Sequence, residues 1–267
     1  MTLIEAFVLG IVQGLTEFIP VSSTAHLLIA QYIMGILADN AAFAFNVLVQ
    51  LGTTLALIIY FWKDLVSLVM AFFAKPFSTP ENKMAWYIII ATIPALLAGV
   101  LFKSLVQDLF KTPLLEAAIR LLSAAVLLVA AEWLGKRSRN LEKMTWLDAL
   151  IVGLFQILAV FPGASRSGST ISGGMLRGFD RPAAARFAFL TAVPVLLAAG
   201  AYEVKDVIKL PQVGTFLPVV TVGFIAAAVV GWFSIKWLLN YLNKNSLYIF
   251  AAYCAIVGVL CLIFFFI

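Results

Sequence analysis

The sequence predicts an all-α integral membrane protein, with six transmembrane helices and two re-entrant broken-helix hairpins arranged as an inverted repeat. Three observations carry the membrane assignment. Apolar residues make up 63% of the 267-residue chain and charged residues 12%, with a mean hydropathy of +1.06, whereas soluble domains carry about a quarter charged residues. A soluble fold of this length could not cover so much apolar surface, which excludes a soluble enzyme. Several apolar runs reach the roughly 20 residues that cross a hydrocarbon core, and the alternating segments of about ten residues that make barrel strands are absent.

The elements follow in order. Region 1–38 is apolar but broken in the middle by Pro, Gly, Ser and a charge. Neither half spans comfortably alone, so it predicts a hairpin that enters and leaves by one side with its irregular tip buried in protein. Spans are predicted at 42–62, 84–102 and 114–135, and segment 65–73 is short enough to be interfacial. Region 146–176 repeats the broken pattern, and spans follow at 183–202, 216–238 and 246–267. Pro94 and Pro194, each inside an apolar run, read as kinks beside a pocket or as neutral packing features. Cys254 and Cys261, seven apart, share a helix face and read as packing residues, with neither a disulfide framework nor a zinc site. Glu5 and Glu17 interrupt the first apolar run and no basic leader precedes it, so no removable signal peptide is expected.

Charge placement fixes the sidedness. With loop 136–143 on the cytoplasmic side, Lys63, Lys75, Lys83, Lys136, Arg137, Arg139, Lys143, Arg177, Arg181, Arg186, Lys236 and Lys244 also fall there. Only Lys103, Lys111, Lys205 and Lys209 fall outside, in agreement with the positive-inside rule. Arg120 and Arg166 lie within apolar regions. Both termini are then outside; the first hairpin enters from outside and the second from the cytoplasm.

An internal repeat agrees with this topology. Gly10-Ile-Val-Gln13 corresponds to Gly153-Leu-Phe-Gln156, Phe18-Ile-Pro20 to Phe161-Pro162, Ser23 to Ser165, and Phe43-Ala-Phe45 to Phe187-Ala-Phe189. The expected repeats are 1–145 and 146–267, each a hairpin plus three spans, together forming a single membrane domain. Three spans are an odd number of crossings, so the halves are inverted, and such folds bind near the midplane where the broken helices meet.

The two hairpin tips hold the candidate chemistry. The first runs from Gln13 through Glu17, Pro20, Ser22, Ser23 and Thr24 to His26, the chain's single histidine. The second reads Phe161-Pro162-Gly163-Ala164-Ser165-Arg166-Ser167-Gly168-Ser169-Thr170. An arginine at bilayer depth costs at least about 2.5–3.5 kcal/mol on insertion scales, so Arg166 calls for an anionic partner. In each tip a proline is followed by Ser or Thr at an N-cap position, and helix N-termini bind phosphate or carboxylate. Two such ends meeting at a bidentate guanidinium suit a polyanion.

Several of these residues have a second reading. Glu17 either takes part in chemistry or neutralises Arg166; Ser22, Ser23 and Thr24 are either ligands or caps; Ser165 to Thr170 fit either an anion site or small-residue helix packing. Glu116 and Arg120, four apart, read as an ordinary ion pair, and Asn46 and Gln50 share a face that lines the pocket. Nothing in the sequence resembles a nucleotide-binding loop, a metal-binding His/Cys cluster or a nucleic-acid module.

Gln13-x-x-x-Glu17 with Pro20-Val-Ser-Ser-Thr-Ala-His26, together with Pro162-Gly-Ala-Ser-Arg-Ser-Gly-Ser-Thr170, resembles the two signature motifs of the bacterial undecaprenyl-diphosphate phosphatases, also called bacitracin-resistance proteins. The likeness extends over the whole chain, including Phe45-Asn-Val-Leu-Val-Gln-Leu-Gly52. It implies a multi-pass inner-membrane enzyme with its site facing the periplasm. The implied reaction is hydrolysis of undecaprenyl diphosphate to undecaprenyl phosphate and inorganic phosphate, which recycles the lipid carrier for wall synthesis. A divalent cation, Mg or Ca, is implied as cofactor. The implied partners are the polyprenyl diphosphate lipid and the bilayer; a homodimer is left open and no nucleic acid is expected.

By resemblance, Glu17 and His26 correspond to the catalytic acid/base pair, Ser23 to the proposed nucleophile and Arg166 to the phosphate-binding arginine. Ser22, Thr24, Ser165, Ser167 and Thr170 correspond to hydroxyls around the phosphates, and Glu17 with Gln13 to the metal site. Position 13 is Glu or Gln in this motif, and an amide is the weaker metal ligand; Asn46 stands where many relatives carry an acid. The single histidine excludes the two-histidine mechanism of the type-2 phosphatidic acid phosphatases. The alternative function is a transporter or flippase of an anionic polyprenyl lipid using the same midplane site.

Overall fold

The computed structural model describes residues 1–37, 39–102, 112–159, 164–207 and 213–267, with side chains described for these residues apart from 203, 205–207, 213 and 215. Lys103, Lys111, Lys209, the Lys205 side chain, residue 38 at the end of the first expected hairpin, and Phe161-Pro162-Gly163 of the second tip lie outside that description.

The described chain is all-helical, apart from an isolated bridge between Arg139 and Phe179. The α-helices are α1 (Leu3–Thr16), α2 (Ser23–Ile33), α3 (Asn40–Tyr60), α4 (Trp62–Phe72), α5 (Pro80–Leu101), α6 (Pro113–Leu134), α7 (Trp146–Ile157), α8 (Arg166–Leu176), α9 (Arg181–Val207), α10 (Val213–Leu242) and α11 (Tyr248–Phe266). A 3₁₀ turn at Leu141–Lys143 precedes α7. Six of these helices are long and apolar enough to cross a membrane: α3, α5, α6, α9, α10 and α11.

Helix boundaries follow from local chemistry. Thr2 and Glu5 close a capping box at the start of α1, and Thr145 and Asp148 close another at the start of α7. Asp39 caps α3, and Thr79 caps α5 ahead of Pro80 at its first position. The short segment expected at the interface is α4, which restarts directly after a break at Phe61, buries only Leu68 and packs on α5. Pro94, Pro194 and Pro218 all lie inside helices.

Short and long helices are interleaved. At about 1.5 Å per residue, α1 and α7 extend only about 21 and 18 Å, short of a hydrocarbon core of about 30 Å. Helix α1 packs on α2 and α10, and α7 on α8 and α5; α3 meets α9 and α10, and α6 meets α11. The close approaches depend on glycine. A Cβ on Gly10 would clash with the backbone of Gly223 in α10, and one on Gly153 would lie 2.6 Å from the Ala91 carbonyl oxygen in α5.

One end of the bundle is tied by two buried carboxylates. Glu132 accepts hydrogen bonds from Arg181, Arg137 and the Leu247 N–H, which joins α6, α9 and the start of α11. Asp148 accepts from Arg139, Arg177 and Thr145. Burial pushes the Asp148 carboxyl up, but those hydrogen bonds outweigh it and hold its pKa down at about 2.

Candidate active site

Both broken helical pairs converge on one cavity of about 150 Å³. Its walls include Glu17 from the α1–α2 turn, Ser22, Ser23 and Thr24 at the start of α2, and Ser165, Arg166 and Ser167 at the start of α8. Gln50, Arg120 and Gln156 complete the polar lining, and Ala95, Val195 and Leu196 contribute apolar wall.

The turn into α2 is backbone-strained. Ser22 adopts φ 67°, a region that side chains other than glycine enter at a cost. Its hydroxyl accepts from the Ala25 N–H and so caps the helix. Ser165 does the same for α8 through the Gly168 N–H. Each cap leaves the other first-turn N–H groups of its helix directed toward the cavity end, where an anion is favoured.

Glu17 organises the charged centre. Its Oε1 accepts from Arg166 Nη2 at 2.7 Å. Its Oε2 accepts from the Ser23 hydroxyl at 2.6 Å and from Gln13 Nε2 at 2.8 Å. Glu17 and Arg166 are only 4% and 11% exposed at their side chains, so the pair is shielded from water. Arg166 Nη1 is buried with no hydrogen-bond partner, as is Gln13 Oε1. A buried guanidinium N–H without an acceptor is costly, and an incoming phosphate oxygen would satisfy it. Ser167 ties the tips together by donating to the Ile19 carbonyl at 3.3 Å.

The structure thus brings Glu17, Ser23, Arg166, Ser22, Thr24, Ser165 and Ser167 to one wall. Two residues expected there face elsewhere. Thr170 is buried and donates to the Arg166 carbonyl of its own helix, one turn behind the cavity wall. His26 is not among the residues that line the cavity. Its Nδ1 lies 2.8 Å from the Ser22 carbonyl, which only accepts, so Nδ1 carries the proton. Its Nε2 lies 2.7 Å from the Tyr253 hydroxyl, and the two rings stack with 5.6 Å between centroids.

Three further placements differ from the sequence reading. Asn46 is paired with Gln31 in reciprocal side-chain hydrogen bonds, so of the Asn46/Gln50 face only Gln50 reaches the cavity. Arg120 does pair with Glu116, yet it also lines the cavity, which the i,i+4 spacing gave no means of distinguishing. Tyr253 and Gln156 are two further residues at or beside the site, and nothing in the sequence marks Tyr253 as one. Gln156 had a usable signal, because it stands where Gln13 stands in the other half.

Comparison with known proteins agrees with the geometry. A sequence profile of the bacitracin resistance protein BacA family matches residues 6–260. An undecaprenyl-diphosphatase of Myxococcus xanthus is 40% identical over 268 residues, covering 98% of this chain and 89% of that protein. One of Anaeromyxobacter dehalogenans is 42% identical over 260 residues, covering 95% and 88%. One of Chloroherpeton thalassium is 40% identical over 271 residues, covering 97% and 95%. With a match of this extent, and with both motif segments meeting at a single anion-ready cavity, the chain belongs to the bacitracin resistance protein BacA family.

Proposed function

We propose that this chain hydrolyses undecaprenyl diphosphate to undecaprenyl phosphate and inorganic phosphate, returning the lipid carrier to cell-wall synthesis and thereby conferring bacitracin resistance. The names of its relatives support the reading, and the observation that carries it is the Arg166–Glu17–Ser23 chain of contacts at 2.7 and 2.6 Å. Arg166 Nη1 and the N-termini of α2 and α8 hold the terminal phosphoryl group and neutralise the charge that grows on it. Glu17 takes the Ser23 proton as Oγ attacks the terminal phosphorus and passes it to the departing undecaprenyl phosphate. Ionised again, Glu17 takes a proton from the water that cleaves the phosphoserine and returns it to Ser23 Oγ as inorganic phosphate leaves.

A magnesium or calcium ion accompanies the substrate in this proposal. Among the described residues no group of three or more His, Cys, Asp and Glu could cage a metal. Glu17 lines the cavity and its partner Gln13 has a buried, unpartnered Oε1; with the diphosphate's own oxygens these would offer oxygen donors of the kind magnesium takes. The bound cation would supply charge neutralisation.

The proposed topology has two inverted repeats, each opening with a re-entrant hairpin, and a cavity that opens toward the periplasm of the inner membrane. Reciprocal packing supports the repeat: α1 on α10 mirrors α7 on α5, and α3 on α10 mirrors α9 on α5. The capping boxes Thr2/Glu5 and Thr145/Asp148 stand at matching positions, as do Gly10 and Gly153. Depth supports the outward face. Arg120 lies about 10 Å along α6 from its outer end, and Leu196 about 22 Å along α9 from its cytoplasmic end.

The test is phosphate release from undecaprenyl diphosphate by purified protein in detergent with magnesium or calcium. Wild type is expected to turn over, and Arg166→Ala and Ser23→Ala to lose at least about a hundredfold in kcat/KM. A folded wild type that releases no phosphate with either cation would replace the phosphatase reading with lipid transport.

A further inference from the structure

Arg120 is the second guanidinium in the cavity, and the mechanism above does not use it. It projects from α6, the span that packs against both α2 and α8, and it is 7% exposed at its side chain. Both of its contacts to Glu116, from Nε at 2.8 Å and Nη2 at 2.7 Å, fall on one oxygen, Oε1. Glu116 Oε2 is buried without a partner. This is not the two-oxygen fork that saturates a guanidinium, and a buried ion pair left incomplete is a poor source of stability compared with apolar packing. A pair that served packing alone would gain from apolar replacement. A pair that holds an arginine ready for an anion needs its unfinished geometry.

The same helix indicates which anion group Arg120 meets. One turn on, Leu122, Ser123, Val126 and Leu127 line an open apolar groove with Leu158 and Ala164. Ala164 also lines the phosphate cavity, so the groove and the cavity share that wall residue. A diphosphate with its terminal phosphorus at Ser23 and its prenyl chain in the groove places the lipid-bearing phosphate between them, beside α6.

We propose that Arg120 binds the phosphate that remains on the lipid, with Glu116 holding the guanidinium in place until substrate arrives. This rests on the phosphatase reading, and it assigns the two arginines to different phosphates: Arg166 to the one removed and Arg120 to the one retained.

The experiment measures kcat, KM and inhibition by two products, inorganic phosphate and undecaprenyl phosphate, in detergent. The variants are Arg120→Lys, Glu116→Gln and the double variant Arg120→Met with Glu116→Gln, in which no charge is left buried alone. Arg120→Lys and the double variant are expected to raise KM and the inhibition constant of undecaprenyl phosphate about ten- to a hundredfold. That is the range for a lost charge-assisted hydrogen bond. Inhibition by inorganic phosphate stays within about twofold, and Glu116→Gln lowers KM by freeing the guanidinium. A double variant with wild-type KM and wild-type inhibition by undecaprenyl phosphate would overturn the assignment, as would equal loss of inhibition by both products. Wild type without turnover would instead remove the phosphatase reading itself.

Discussion

Replacing Glu17 with Gln keeps the shape of the side chain and removes its charge and its basicity. Three donors converge on the carboxylate: Arg166 at 2.7 Å, Ser23 at 2.6 Å and Gln13 at 2.8 Å. An amide offers one acceptor oxygen and one NH₂, so at least one of the three donors would face another donor. More importantly, the amide cannot take the Ser23 proton. A positioned general base contributes about 10²–10⁴-fold, so kcat for phosphate release from undecaprenyl diphosphate should fall by about that factor. KM should change by less than about threefold, because Arg166, released from its carboxylate, still meets the phosphate. Glu17→Asp supplies a check on distance: withdrawing the carboxylate by about 1.5 Å stretches the Ser23 contact to about 4 Å, beyond hydrogen-bond reach. The aspartate variant should therefore lose most of the activity despite keeping the charge. Steady-state kinetics on folded protein of both variants decide the matter. If Glu17→Gln kept kcat within tenfold of wild type, Glu17 would not be the base.

Other perturbations test different parts of the molecule. Gly153→Ala places a Cβ 2.6 Å from the Ala91 carbonyl oxygen, in backbone that has little room to yield, and should lower stability by about 1–3 kcal/mol, seen as a fall in Tm in detergent. Tyr253→Phe removes the hydroxyl 2.7 Å from His26 Nε2 while keeping the stacked ring. Because Glu17 carries the proton transfers, the pH dependence of kcat should stay unchanged, and a shifted profile would give His26 a part in them. The Asp148 carboxyl, held down at about 2 from its ordinary 3.8, stabilises the fold above the ordinary carboxylate range. That contribution is lost as pH falls from about 4 toward 2. Asp148→Asn should therefore flatten the acid limb of Tm against pH, and an unchanged limb would deny the linkage.

Much of this was legible in the sequence because the polar exceptions in an apolar chain are so few. Length and hydropathy located the six spans, since crossing a bilayer demands a fixed run of apolar residues. Proline followed by serine located the starts of α2 and α8, because an unpaired helix end needs a cap. The meeting of Glu17 with Arg166 followed from the cost of an unpaired charge at bilayer depth. Direction was harder to read. His26 lies one turn from Ser23, but the rotation of α2 about its axis turns the imidazole toward α11, and only tertiary packing sets that rotation. Arg120 shows the same limit, since an i,i+4 ion pair looks alike on a lipid-facing and a cavity-facing surface. Asn46 was drawn from the cavity by Gln31, a partner 15 residues away that no periodicity reveals.

The most direct test of the central claim is an acid quench during turnover of undecaprenyl diphosphate radiolabelled in its terminal phosphate. Label is expected on the protein as acid-stable phosphoserine at Ser23, absent from Ser23→Ala and greatly slowed in appearance in Glu17→Gln. Steady phosphate release by wild type with no label on protein at any quench time would contradict the serine route and leave direct attack by water.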